Sequence, residues 1–479
     1  MSILKIAKRI VLVTVAIIFI LIIIFWSLVI INNKNTAYLN INEHKAYQNT
    51  SYIIKNVNIV PMTKDTILLN KNVFIKDGII ELIGGNLPKA DFPIIDGTNK
   101  FLSPGLIDMH VHVWDKYDLG LFLANGVTTI RNMWGMPLHL HLKKEINEHK
   151  IIAPTFFTAT PKLTGPNDAG LDKKQIESPE QAKMLIKKYK KQGYDLIKTY
   201  AGLPENIFNA ICEQAAASNL RIGAHPSNLV DYNYHFKPIF ETVEHTEEIA
   251  QTALNFNITS HRIDSIVRFY LKNNTSHTPT LSVFHNIIDI LNKEDDILKS
   301  RNATYMNQAF INFGSKNDLN RWKNDKKNDK NTLSRISNQH LEHLKILKRM
   351  HDMSVNIVCG TDAGIMFNAP GFSIHEELQY YKDAGLSNYE VLKTATINVS
   401  KVDKKYQNLG SIEIGKVANL LLLNDNPLIN LETLKKPKIV FVQGRKLETS
   451  DLEIFKAKAK QRNNTIISTI RLLSGMLFN

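Results

Sequence analysis

The chain has 479 residues, a formal net charge of +14 and 44% hydrophobic residues. That length holds one large domain or two modest ones, and that apolar content excludes a disordered or fibrous chain. The positive charge is scattered lysine rather than a stripe, so no nucleic-acid partner is expected. Cys212 and Cys359, in a predicted helix and a predicted buried strand, exclude a disulfide framework.

At the amino end, Lys5, Lys8 and Arg9 precede Ile10–Ile31, a run whose only polar residues are Thr14 and Ser27. Such a run is long enough to cross a bilayer as a helix. Residues 1–33 are therefore read as a membrane anchor with Ile10–Ile31 as its span, and 34–50 as a polar tether. Positive charge is concentrated before the span, with Lys34 alone soon after it. This places the N-terminus in the cytoplasm and the body of the chain on the extracytoplasmic side.

From Ser51 the pattern is β, with Asp77-Gly78 as a hairpin turn. From Pro104 it becomes strand, loop, helix, repeated. The expected strands are Leu106–His112, Val127–Asn132, Thr155–Thr160, Leu196–Tyr200, Arg221–His225, Thr242–His245, Thr278–Val283 and Asn356–Thr361. Eight strands alternating with helices over residues 103–409 predict an α/β protein built on a (β/α)8 TIM-like barrel. Residues 51–102 and 410–450 are expected to pair into one small, discontinuous β-sandwich domain. Residues 286–345 read as a helical insertion, a mobile lid over the barrel mouth, or a solvated excursion. The tail 451–479 is basic and amphipathic. Its stripe Ile466, Ile470, Leu473 and Leu477 suits docking on the barrel, with the membrane surface near the anchor as the alternative.

The chemistry concentrates at strand ends. His110 and His112 are two apart on a strand, so both rings point to one face and can clamp a divalent cation. His139 and His141 have the same spacing but open a helix, where such positions diverge, and are read as surface histidines. Lys198 and Tyr200 end strand four, His225 strand five, Glu244-His245 strand six and Asp362 strand eight. The C-terminal ends of barrel strands meet at one mouth, so these groups predict a metal site.

On these residues the chain resembles the amidohydrolase superfamily of metal-dependent hydrolases, in its imidazolonepropionase-like and Xaa-Pro dipeptidase-like branch. The supporting stretches are Pro104–His112, Asp195–Leu203, Gly223–His225, Glu244-His245, Gly360–Gly364, Gly371–Gly385 and Gly415–Pro427. The resemblance implies two divalent metal ions, zinc most often. His110, His112 and Asp362 would hold the more buried one, and His225 and His245 the second. Lys198 would bridge them as a carbamate formed with carbon dioxide. A hydroxide shared by the metals would attack the carbonyl of an amide, with Asp362 carrying the proton and Tyr200 hydrogen-bonding the oxyanion. Asp108 is placed behind the histidines or as a strand-end cap. His375 is given a supporting role, and His277 and His285 are ordinary polar residues. Asn228 and Arg131 are candidate substrate contacts alongside Tyr200.

The expected function is that of a membrane-anchored binuclear amidohydrolase, cleaving a C–N bond in a small peptide or N-acyl amino acid. The alternatives are a single-metal cyclic amide or imidazolone hydrolase or deaminase, and a catalytically inactive binding module held at the membrane. Oligomeric state is not legible.

Overall fold

A computed structural model describes residues 3–85, 87–89, 91–168, 170 and 172–478; the side chains of 3–6 and 475–478, Lys5 and Leu477 among them, lie outside the described set. The first five strands are β1 (Tyr52–Ile59), β2 (Leu68–Lys76), β3 (Ile79–Ile83), β4 (Ile94–Asp96) and β5 (Phe101–Pro104). The next eight are β6 (Leu106–Val111), β7 (Val127–Asn132), β8 (Thr155–Thr164), β9 (Lys173–Gln175), β10 (Leu196–Thr199), β11 (Arg221–Ala224), β12 (Phe240–Glu244) and β13 (Ser276–Thr278). The last are β14 (Leu420–Leu423), β15 (Ile439–Val442) and β16 (Arg445–Glu448).

Strands from both flanks of the barrel form one sheet, in the order β16-β15-β14-β5-β1-β2-β3 with β4 on β1. The seam is the antiparallel pair β5–β14, with Leu102 opposite Leu422. Its inner face carries Ile54, Val57, Val73, Leu102, Leu420 and Phe441, all buried. Along β1 the alternation is broken: Tyr52, Ile53 and Ile54 are all buried, Lys55 and Asn56 are exposed, and register shifts between Ile54 and Ile59 return Val57 and Ile59 to the core.

The barrel runs β6-β7-β8-β10-β11-β12-β13, all parallel, with β9 on β8. Two single bridges, Val111 to Ala363 and His277 to Ile357, close it. The eighth strand expected over Asn356–Thr361 is therefore not a regular ladder. The backbone there takes other partners: the Thr361 N–H donates to the Asp108 carboxylate, and Asp362 has φ +60°. The seventh strand is shorter and earlier than expected. Pro279 has no N–H to donate and Thr280 sits at φ +52°, so Leu281 opens a helix, Leu281–Lys293. Helices cover the barrel. Pro179–Gln192 shows why one forms: the Ser178 side chain caps the Gln181 N–H, Pro179 opens the first turn, and Gly193 at φ +95° closes the end. Ala182, Leu185, Ile186 and Tyr189 supply its buried stripe.

Residues 286–345 are helical. Thr332–Asp352 buries Ile336, His340, His343, Leu347 and Met350, spaced three or four apart. The segment 34–50 is not a free tether. It forms short helical turns that bury Leu39, Ile41 and Tyr47, because its apolar residues find a groove beside Ile151 and Ile152; the Ile152 N–H donates to the Leu39 carbonyl at 2.7 Å.

The first helix, Ile3–Asn35, leaves its apolar surface exposed, Leu12 at 73% and Ile17 at 52%. Among the described residues it is the one helix long and apolar enough to cross a membrane. The last helix, Thr465–Phe478, docks beside the barrel, but with the face next to the expected stripe. Ile467 and Leu472 are buried, while Ile466 and Leu473 are 63% and 52% exposed. The polar anchors fix that rotation: Asn464 donates to Asp115 at 2.8 Å, and Asn307 donates to Ser468 at 3.0 Å.

Candidate metal centre

His110 is carried on β6 and His112 directly follows it, at the strand's C-terminal end. The Asp362 N–H donates to the His110 carbonyl at 2.7 Å, and the His112 N–H to Ala363 at 2.7 Å, so the 357–363 segment is laced onto β6. Asp108 tightens the lacing by accepting from the backbone N–H of both His110 and Thr361. Burial pushes its carboxyl up to about 8. Its action is on the backbone of the two metal-facing segments rather than on the rings. Gly364 stands at φ +103° where an added Cβ would lie 2.1 Å from the His112 carbonyl oxygen, so no other residue fits the crossing.

The histidine and aspartate atoms converge. Asp362 Oδ1 lies 2.6 Å from His112 Nε2 and 3.3 Å from His110 Nε2. His110 Nδ1 faces Glu244 Oε2 at 2.8 Å. A carboxylate can only accept there, so Nδ1 carries the proton and Nε2 keeps its lone pair. Burial disfavours ionisation of Glu244, but Arg131 and His110 outweigh it and hold the carboxyl well below the carboxylate range. Burial, reinforced by Lys198, pushes His110 down to about 4, so its ring is neutral and able to ligate.

His245 follows β12, its ring centroid 4.8 Å from those of both His110 and His225. Its Nδ1 contacts Thr280 Oγ1 at 2.8 Å, leaving Nε2 for the site. His225 follows β11, lies 3.3 Å through Nε2 from Glu248, and has a buried, unpartnered Nδ1. Lys198, on β10, is buried with its Nζ unpartnered. Burial pushes it down to about 8 against the pull of Glu244 and Asp362, with Lys162 and Arg131 adding to the burial. His245 and Asp362 both hold positive φ, +71° and +60°. For residues with a Cβ this costs about 1 kcal/mol or more each, a strain that clusters at working sites.

These groups open onto a cavity of about 140 Å³, lined also by Tyr200, Lys162, Glu247, Val283, Phe284, Ile287, Ile365 and Met366. Tyr200 stacks on His225 at 4.2 Å. Burial pushes its hydroxyl up to about 12, so it is a proton donor at neutral pH.

Two predicted substrate contacts lie elsewhere. Arg131 is fully buried and donates to Met109, Glu241, Thr242 and Glu244, so no face of it reaches the cavity. Asn228 is exposed and accepts from the Gly202 N–H, outside the lining. His139 is buried, not on the surface. It accepts from the Met136 N–H and its other nitrogen reaches the Val113 carbonyl, because its helix begins against the loop after His112. His141 is exposed as expected. His375 reaches the Asn125 carbonyl and supports packing. His277 meets Thr246 and Tyr270, and His285 packs on His340 and Tyr380, both away from the cavity. Lys162, Glu247 and the Glu244–His110 contact were not anticipated. A lysine just past the predicted end of strand three was the available signal for the first.

The amidohydrolase family profile matches residues 101–447. A dihydroorotase from Halalkalibacterium halodurans is 41% identical over 61 residues, and the chain spans only 14% of that protein's length. A 5-methylthioadenosine/S-adenosylhomocysteine deaminase from Caldanaerobacter subterraneus subsp. tengcongensis is 21% identical over 412 residues, covering 78% of this chain and 84% of the deaminase. The fold is similar to that of a Xaa-Pro dipeptidase with methionine bound in its active site. The TM-score is 0.64 and the identity 18%, over 83% of this chain and 100% of the dipeptidase.

Proposed function

The chain belongs to the amidohydrolase family, and from that premise we propose that it is a membrane-anchored, binuclear metallohydrolase. Its reaction is cleavage of a C–N amide bond in a small peptide or N-acyl amino acid, on the extracytoplasmic side.

The observation that carries the binuclear reading is the buried, unpartnered Lys198 Nζ in a cavity that His225, its Nδ1 also unpartnered, helps to line. An ammonium left with three unmet donors is costly, and a cation among metal ligands would repel the metals. An amine pushed down to about 8 is neutral in about one molecule in ten at pH 7, far more than an ordinary lysine, and the neutral form is the one that adds carbon dioxide to give an anionic carbamate. His110, His112 and Asp362 would hold one ion, their ligand atoms lying within 4.8 Å of one another, and His225 and His245 would hold the other, with the Lys198 carbamate as a further anionic ligand. Imidazole with carboxylate donors suits zinc. When bound, the two ions supply a nucleophile from water at neutral pH and polarise the scissile carbonyl.

The remaining chemistry belongs to the chain. Burial opposes ionisation of Asp362, but His110 and His112 hold it well below the carboxylate range. It therefore stands ready to take the proton of the attacking water and return it to the leaving nitrogen. The Tyr200 hydroxyl, protonated and on the cavity wall, donates to the oxygen that gains charge. The exposed apolar helix Ile3–Asn35 supports the anchor, since water would not tolerate that surface.

The deaminase likeness supports a second reading, a single-metal deaminase or cyclic amide hydrolase in which Lys198 stays an amine. The full chain, solubilised in detergent and loaded with zinc and bicarbonate, should hold two metal ions and hydrolyse members of a dipeptide and N-acyl amino acid library followed by mass spectrometry. Lys198→Ala should lose at least one ion and most of the rate, by about 100-fold or more, the scale of one lost electrostatic stabiliser at the reacting oxygen. Unchanged metal content and rate in that variant would rule out the binuclear reading. Turnover of lactams or amino-purines alone would favour the second.

A further inference from the structure

Lys162 lines the cavity at the C-terminal end of β8 and is only 8% exposed. Its Nζ donates to Asp172 at 2.7 Å and lies 5.5 Å from the Trp134 ring and 5.2 Å from the Tyr200 ring. An ammonium carries three donors, and Asp172 takes one. Two aromatic faces and a carboxylate hold the group in place, so little side-chain freedom is lost when a ligand binds. Of the lining residues only Lys162 and Lys198 carry ammonium groups. On the reading above Lys198 becomes an anion, which leaves Lys162 as the one ammonium side chain among the lining residues, set apart from the ions on the wall formed with Tyr200. Burial opposes its charge, but Asp172 and Tyr200 more than restore it. The wall otherwise offers Val283, Phe284, Ile287, Ile365 and Met366, an apolar surface.

We infer that Lys162 is a carboxylate-binding residue, and that the substrates of this site are amides of amino acids with a free carboxylate and an apolar acyl part. This deepens the amide-hydrolase reading and rests on it. The ammonium neighbours Tyr200, the predicted oxyanion donor, which suits a carboxylate one carbon from the scissile nitrogen. The apolar residues take the acyl side. Neutral lactams, nucleobases and internal peptide bonds bring no carboxylate to the Lys162 donors that Asp172 leaves free.

The test pairs each dipeptide and N-acetyl amino acid with its C-terminal carboxamide and follows release of the acyl-side product by the zinc-loaded full chain. The wild-type kcat/KM should favour the carboxylate of each pair by about tenfold or more, the scale of a charge-assisted hydrogen bond. Lys162→Met should collapse that ratio, chiefly through KM, and Lys162→Arg should restore part of it. Metal content equal to wild type shows that the variants are folded. If Lys162→Met does not fold, the wild-type ratio alone decides. Hydrolysis of both members of each pair at equal rates, or an unchanged ratio in Lys162→Met, overturns the inference and leaves the amide-hydrolase reading standing. No hydrolysis of any pair by two-metal protein overturns both.

Discussion

Glu244 is where a single carboxylate does two jobs. One oxygen fixes the His110 tautomer at 2.8 Å, and the other accepts from Arg131 at 2.8 Å and from Thr242. Glu244→Gln keeps the shape, loses the charge that orients and strengthens the ligand, and sets an amide against the Arg131 guanidinium. Metal affinity should fall by about 10–100-fold, measured by competition with a chromophoric chelator. Unchanged affinity would mean that His110 is not held through Nδ1. Proposed ligands such as His110 and Lys198 were legible because barrel strands deliver their ends to one mouth, so motif plus order suffices. Arg131 departs from the expectation for a reason local to strands. Position near a strand end does not say whether a side chain enters the mouth or the barrel interior, and here Glu241 and Glu244 on β12 claim it from across the barrel. Lys162 is not legible in the sequence because β8 runs to Thr164 rather than stopping at Thr160, a boundary that no local pattern marks.

At the scale of elements, the parallel strands and covering helices were legible wherever apolar period and capping agreed, as over 179–192. They failed at β13 and at residues 357–363, where tertiary partners outweigh pattern. The helix Pro137–Asn147 has the same lesson with an energetic consequence. His139 is buried at its start, its ring nitrogens engaged by the Met136 N–H and the Val113 carbonyl. Burial pushes it from its ordinary 6.5 down to about 4. Between those values the unfolded chain binds a proton that the folded chain refuses, so stability falls as pH drops from about 6.5 towards 4. Each such histidine steepens the slope by at most about 1.4 kcal/mol per pH unit, and His235, His277 and His375 are buried and lowered in the same way. Urea unfolding between pH 7 and pH 5 should show this loss, and His139→Gln, less stable at pH 7, should show a shallower slope. Parallel slopes for the two proteins would mean that His139 is protonated in the fold.

Taken whole, the molecule has one surface that water does not suit. The helix Ile3–Asn35 exposes its apolar side chains, and the last helix, which contacts it, turns Ile466 and Leu473 outward. The other face of that last helix packs through Leu472 on Trp114 and Trp134. Trp134 stands 6.3 Å from His112, so one layer of side chains separates the proposed metal ligands from the last helix. If Ile10–Ile31 crosses a bilayer, at about 1.5 Å per residue it covers the hydrocarbon core, and the chain should remain with membranes after an alkaline carbonate wash. Lys8 and Arg9 ahead of the span are the basis for expecting the N-terminus in the cytoplasm. Cys212 and Cys359 are both buried, so an introduced cysteine reports without background. Met184, 62% exposed on the helix Pro179–Gln192, is a suitable position. Met184→Cys should react with a membrane-impermeant maleimide from the extracytoplasmic side, and Lys8→Cys should react only after the membrane is opened. The reverse pattern would place the cavity in the cytoplasm, and release of the chain by carbonate would mean that the helix does not span.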